Sequence, residues 1–209
     1  MSDRLEETYA RLAERYASGD VPWDEALPPP EVMDFIPSLK PGRALDLGCG
    51  YGRASIYLAT QGWDVDGVDF IEKALEEARR RSKEAGVSVR FHTGSVVDLD
   101  FLHEAYTFAL DVGCGHALDD DGLHLYKDQL KRLLTPGGYF MLFARMQDAQ
   151  EDDVEGPPGL EESKLMEVFD DGFTLEWVER NETVMADGPS WPSAWFRFKR
   201  VKERVVASG

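Results

Sequence analysis

The chain is short of positive charge, of cysteine and of long apolar runs. In 209 residues, 23 Lys and Arg face 40 Asp and Glu, a formal net charge of −17. Phosphate contacts need clustered Lys and Arg, so this balance argues against a nucleic-acid partner. It argues equally against docking on an anionic membrane surface. The longest uninterrupted apolar run, Tyr139 to Ala144, is far too short to span a bilayer. The N-terminal stretch MSDRLEETYARLAERYASGD holds no apolar signal core. The two cysteines, Cys49 and Cys114, form neither a disulfide framework nor a C-x-x-C pair. His92, His103 and His124 lack ligand spacing, so no metal is expected. What is present is apolar material: 43% of the residues are hydrophobic, enough for one sizeable core. The expectation is a soluble, cytoplasmic protein, monomeric or homodimeric.

Residues 3 to 17 carry Leu5, Tyr9, Leu12 and Tyr16 at helical spacing. Gly19 and Pro22 end that helix, and a proline-rich connector containing Trp23 follows, with a short helix expected near Glu31 to Phe35. From residue 43 strands and helices alternate. Strands are expected at 44–47, 65–68, 89–92, 108–112 and 139–144, and helices at 53–61, 72–85 and 122–134, the last capped by Asp121. Pro136, Gly137 and Gly138 read as a turn. A helix over 160–169 precedes two strands, 173–184 and 195–201, joined by the turn DGPSWPS with no helix between them. This pattern predicts an α/β fold, a doubly wound, Rossmann-like seven-stranded sheet whose last strand is antiparallel. Residues 1–42 are expected to form a helical lid and connector, and 43–209 the core.

The sharpest signal is the segment ALDLGCGYG. Gly48, Gly50 and Gly52 follow a buried strand and open a helix, where the backbone turns tightly and comes close to a ligand. Asp69 ends the next strand, 21 residues past Gly48, where a carboxylate can accept both ribose hydroxyls of a nucleoside-containing cofactor. Dinucleotide binders use G-x-G-x-x-G to aim a helix at a pyrophosphate. This chain has G-x-G-x-G, with Asp46 just before it, which suits a cofactor with no phosphate and a cationic end. A tight strand-to-helix turn with no ligand is the plain alternative.

The motifs ALDLGCGYG, GVDF with Asp69 and LLTPGG (133–138) resemble those of class I S-adenosylmethionine-dependent methyltransferases, in order and spacing, from about residue 43 to 144. The hairpin tail fits that family's seven-stranded sheet. The resemblance implies that Asp46, Leu47, Gly48, Cys49, Gly50 and Gly52 line the methionine end of S-adenosylmethionine. It implies that Asp69 holds the ribose, with Phe70 and Ile71 against the adenine. Where the family often has Gly-Asp after the third strand, this chain reads Gly94-Ser95-Val96-Val97-Asp98. Ser95 with the amide of Val96 takes that contact, or Asp98 swings in, or Asp98 caps a following helix.

Asp111 and Val112 leave the fourth strand at the ligand edge, Asp111 a candidate for the cofactor's amino group. His116 is the candidate base facing the acceptor, or a packing histidine. The N-terminal segment resembles the lid of thiopurine, thiol and halide methyltransferases. By that resemblance Trp23 borders the methyl-transfer site, and Tyr9, Leu12 and Tyr16 wall it; the alternative is an amphipathic helix packed on the sheet. Arg145 binds an anionic acceptor or balances the acidic loop DAQEDDVEGPPG that follows it. Both cysteines read as packing residues. The expected activity is methyl transfer to a small S, N, O or halide nucleophile. The alternatives are a non-catalytic cofactor-binding subunit of the same fold, or, against the glycine spacing, a dinucleotide oxidoreductase.

Overall fold

The computed structural model describes residues 3–103, 105–147, 159–184 and 190–202. Most of the acidic loop after Arg145 (148–158) and part of the hairpin turn (185–189) lie outside the described residues. The elements run α1 Asp3–Ser18, α2 Pro30–Phe35, β1 Arg43–Leu47, α3 Arg53–Thr60, β2 Asp64–Asp69, α4 Glu72–Glu84 and β3 Val89–Thr93. They continue with β4 Tyr106–Val112, α5 Asp120–Leu133, β5 Leu134–Arg145, α6 Glu162–Phe169, β6 Phe173–Thr183 and β7 Trp191–Arg200. One sheet has the order β3-β2-β1-β4-β5-β7-β6. The pairs among β1 to β5 are parallel, and β7 runs antiparallel to both β5 and β6. No described helix is long and apolar enough to cross a membrane.

Successive residues of a strand point to opposite faces, and both faces here are covered. Leu45, Leu47, Ala109, Phe140 and Leu142 pack with Leu123, Tyr126 and Leu130 of α5 and Leu165 and Phe169 of α6. Ala44, Phe108, Leu110 and Met141 pack with Val32 and Ile36 of the α2 region and with Ala54 and Leu58 of α3. The connector's short helix is thus part of the sheet's own packing, while α1 lies with Leu12, Ala13 and Tyr16 over the loops after β1 and β2 and with Leu5 against the α5-side core.

Several boundaries differ from the sequence expectation. Three consecutive aspartates stand at the start of α5, and the first, Asp119, not Asp121, caps it by accepting the Gly122 N–H at 2.8 Å. β5 starts at Leu134, because Leu134 pairs with Tyr106 across an irregularity that absorbs the expected Pro136-Gly137-Gly138 turn. β7 starts at Trp191, since Thr183 of β6 pairs with it there. Among the described residues no helix lies between Asp98 and β4, and its side chain is exposed, so it caps nothing.

One buried charge locks the parallel edge. Asp66, at the centre of β2 and 2% exposed, accepts from Arg43 of β1 (2.7 Å), from both Nε and a terminal nitrogen of Arg90 on β3 (2.8 and 2.7 Å), and from Tyr106 of β4 (3.0 Å). His92 Nε2 also lies 2.8 Å away. Burial works to raise its pKa, but the bonds from Arg90, His92 and Arg43 outweigh that and hold it well below the carboxylate range. A group with a depressed folded pKa stabilises above its unfolded value and loses that contribution as pH falls toward the folded one. Asp66→Asn therefore costs about 3 kcal/mol at pH 7, the order expected when one partner of a buried ion network is removed. The gap between wild type and variant narrows below about pH 4. Urea unfolding at pH 7 and pH 3 checks this, and a gap independent of pH contradicts it.

Candidate functional site

The crevice of an open parallel sheet lies where strand order reverses, outside the carboxyl ends of the strands. Here that point is between β1 and β4. The loop after β1 is held open by three left-handed glycines, Gly48 (φ +66), Gly50 (φ +54) and Gly52 (φ +79). A Cβ on Gly48 would lie 2.6 Å from Cys114 Cβ in the loop after β4, so glycine sets how closely the two loops approach. Cys49 donates its N–H to the Val68 carbonyl (3.0 Å), and Gly52 donates to the Cys49 carbonyl (2.8 Å).

Asp69, buried at the end of β2, ties this loop to the next. Its Oδ2 accepts the Gly50 N–H and its Oδ1 the Ile71 N–H, both at 2.9 Å. Burial nevertheless pushes its pKa up. Gly94, just before Ser95 and Val96, donates its N–H to the Asp69 carbonyl (3.0 Å) and so brings the loop after β3 alongside. Asp46 is buried and accepts from Ser55 Oγ of α3 at 2.5 Å; burial pushes its pKa up to about 7 despite that bond. The Leu47 side chain points into the core on the α5 face, so only its main chain borders the loop. Cys49 and Cys114 have thiols pushed up by burial, which fits packing and not reactivity.

Asp111 has a different task from the one expected. Its oxygens accept the N–H groups of Cys114 (2.7 Å) and Gly115 (2.9 Å) and the hydroxyl of Tyr126 (2.7 Å). The carboxylate is spent on shaping the turn after β4 rather than offered to a ligand. Val112, half-buried beside it, pairs with Phe143 of β5 and packs on the α3 face.

The N-terminal residues divide. Tyr16 is buried, and a Cβ on Gly50 would meet its hydroxyl at 2.8 Å, so α1 rests directly on the glycine loop. That hydroxyl accepts Trp23 Nε1–H at 3.2 Å, and Tyr16 meets Tyr51 edge-on at 5.1 Å between ring centres. Tyr9 meets Phe70 edge-on at 5.4 Å, and Leu12 packs into the cluster of Tyr16, Ile71 and Ala74. Tyr9, Leu12 and Tyr16 thus lie over the loops after β1 and β2, on the Asp69 side. Trp23 is 39% exposed, meets Tyr16 edge-on and lies under the Arg15 guanidinium, and Asp24 beside it takes a bidentate bond from Arg81 of α4 (both 2.7 Å).

His116 sits on a short 3-10 turn after β4, half-buried, with Nδ1 accepting the Arg145 backbone N–H at 3.2 Å. Burial, reinforced by the charges of Arg145 and Arg11, pushes its pKa down to about 4. The ring is therefore neutral above that pH. The bond to Nδ1 assigns its proton to Nε2, which then donates. This corrects the expectation of a general base: the open nitrogen has no lone pair to offer. Arg145 is buried, its guanidinium 5.7 Å from the Trp191 ring centre. Among the described residues no cluster of His, Cys, Asp and Glu could hold a metal ion.

Residues 44–138 match the family model described as methyltransferase domain. That segment is a methyltransferase domain of the S-adenosylmethionine-dependent kind. A 2-heptyl-1-hydroxyquinolin-4(1H)-one methyltransferase of Mycobacteroides abscessus is 24% identical over 178 residues, 84% of this chain and 78% of that protein. The probable S-adenosyl-L-methionine-dependent methyltransferase TehB of Haemophilus influenzae is 26% identical over 155 residues, 71% of this chain and 52% of its own length. The chain thus spans about half of that second relative. Among solved structures, the 1,6-didemethyltoxoflavin-N1-methyltransferase of Burkholderia thailandensis superposes with a TM-score of 0.76 at 24% identity, covering 97% of this chain and 92% of the other. At that identity the likeness shows the fold.

Three features of this methyltransferase escaped the sequence reading. Tyr126 supports the loop after β4 through Asp111, and in the sequence it is only one residue within the helix expected over 122–134. Arg11 lies close enough to His116 to depress its pKa, but it stood on the charged side of the α1 pattern. Asp66 read as part of a buried strand; the signal was Arg90 directly opposite it in the register. Gly48 and Gly62 both have positive φ, but nothing lies within 4 Å of a Cβ on Gly62. Gly62→Ala is expected to cost about 1 kcal/mol for the backbone conformation alone. Gly48→Ala is expected to cost roughly 1–3 kcal/mol more, for overpacking against Cys114. Equal losses in urea unfolding would contradict the close approach of the two loops.

Proposed function

We propose that the protein transfers a methyl group from S-adenosylmethionine to a small acceptor in the crevice between the loops after β1 and β4. Asp69 carries this reading. Each of its oxygens already accepts one backbone N–H, and each keeps a lone pair, a geometry that fits the two adjacent hydroxyls of a ribose. Asp46 fits the cationic amino-acid end, because a buried carboxyl pushed up to about 7 is stabilised in its charged form by an arriving ammonium. The main chain of Leu47, Gly48, Cys49, Gly50 and Gly52 would line that end. Phe70, Ile71, Ser95 and Val96 would line the adenine, and Tyr16 of α1, with Trp23 of the connector against it, would cover the loop. Asp111 and Val112 act through the shape of the turn they hold.

When bound, the cofactor supplies a methyl carbon on a sulfonium: the acceptor's lone pair forms the new bond to carbon, and the carbon–sulfur pair stays on sulfur. The chain's own part is to align the acceptor and exclude water. Two relatives are named for small-molecule acceptors, a heptylhydroxyquinolinone and a didemethyltoxoflavin, which supports a small acceptor here. The test is release of S-adenosylhomocysteine with a panel of iodide, aliphatic and aromatic thiols, phenols and N-heterocycles. Turnover with at least one is expected; silence across the panel with cofactor bound contradicts the reading. His116 stays neutral above about pH 4, so His116→Gln should remove no limb of the kcat/KM profile between pH 5 and 8. Loss of a limb in that range would restore the general base.

A further inference from the structure

The N-terminal segment is tied to the rest of the chain at one charged junction. Among the described residues, two hydrogen-bonded links join residues 3–27 to the remainder of the chain. One is a long bond, 3.5 Å, from Arg53 to the Leu27 carbonyl. The other is the bidentate pair of Asp24 with Arg81 of α4. The Arg81 guanidinium is also anchored on its own helix by Glu77 (2.7 Å), and it lies 4.6 Å from the ring centre of Tyr51, which stands in the glycine loop between Gly50 and Gly52. One side chain thus joins the connector, the glycine loop and α4. The tie reaches the site through neighbours. Trp23, next to Asp24, donates its Nε1–H to Tyr16, and Tyr16 stands over Gly50, whose N–H Asp69 accepts. A cleft of about 500 Å³ lined by Gly19, Asp24, Tyr51, Glu77 and Arg81 opens beside the pair, whose side chains are 29% (Arg81) and 27% (Asp24) exposed, so dissolved salt reaches it.

We propose that the Arg81–Asp24 pair is an ionic latch on cofactor exchange: while it is closed, Trp23 and Tyr16 stay over Gly50, and the cofactor or its product leaves when it opens. The inference rests on the methyltransferase reading and adds two positioning residues to it, which act on the ligand through Tyr16. Gly50 and Asp69 are buried beneath Tyr16, itself buried, so passage to that carboxylate needs α1 and the connector to lift. The other contacts that hold α1 there are rings and aliphatic groups, Tyr9 on Phe70, Tyr16 on Tyr51 and Leu12 beside Ile71 and Ala74. Salt does not screen those contacts, but it weakens a partly exposed ion pair. Ionic strength therefore acts on this junction and sets the rate of exchange. Release of product limits turnover in many enzymes with a closing segment, so the same pair bears on kcat.

The test follows S-adenosylhomocysteine leaving immobilised wild type and Asp24→Asn by surface plasmon resonance. KCl runs from about 0.01 M to about 1 M, over which the screening length falls from about 30 Å to about 3 Å. Wild type should release faster as salt rises. Asp24→Asn should release roughly fivefold faster than wild type at low salt, the order of one partly exposed ion pair, and its rate should depend far less on salt. Asp24 lies on the connector outside every helix and strand, so the variant is expected to fold. Hydrogen exchange of the loaded proteins separates a latch from a general loss of stability: exchange in α1 should quicken in the variant while β1, β2 and β4 stay protected. Equal release rates, an unchanged salt dependence, or exchange that quickens across the sheet as much as in α1 overturns the inference. Failure of S-adenosylhomocysteine to bind wild type would instead overturn the methyltransferase reading beneath it.

Discussion

The Asp69 carboxylate, bridging the Gly50 and Ile71 amides, is the constraint on which the site depends. It holds the loop after β1 against the loop after β2, with no described cation paired to it. Burial outweighs the backbone N–H groups that favour its charge, so its pKa rises. With Gly50 fixed, the glycine loop keeps the left-handed turns that start α3, and the space above Gly50 admits the Tyr16 hydroxyl. The docking of α1 follows from that contact. Tyr9 against Phe70 and Leu12 in the cluster of Ile71 and Ala74 then bury the helix's apolar stripe over the two loops.

The buried carboxylates sort by environment. Asp66 meets arginines from two neighbouring strands and is held low; it is a structural charge that pins β1, β2, β3 and β4 in register. Asp46, Asp69 and Asp111 are pushed up by burial. Asp111 spends its acceptors on a turn, whereas Asp46 and Asp69 keep some for a ligand. His116, on the turn after β4, is held neutral by burial, with the charges of Arg145 and Arg11 adding to that.

Much of this was legible in the chain. The alternation of strands and helices, the hairpin tail and the pairing of the glycine loop with Asp69 are local patterns with fixed spacing, and the fold follows them. What escaped is decided by tertiary contact. Nothing local chooses among Asp119, Asp120 and Asp121 as the cap, and the start of β5 depends on Tyr106 lying beside Leu134. Tyr9, Leu12 and Tyr16 share one stripe, yet only where α1 docks tells that they face the Asp69 side. His116 reads as a base until the Arg145 N–H is seen to occupy Nδ1, a bond between residues 29 apart in sequence.

Calorimetric titration of S-adenosylhomocysteine into wild type and Asp69→Ala tests the central claim most directly, with urea unfolding alongside to confirm that the variant is folded. Losing charge-assisted bonds to two ribose hydroxyls should weaken binding by at least about a hundredfold. Binding to folded Asp69→Ala at wild-type strength would contradict the account, since the carboxylate would then hold the loops together and nothing else.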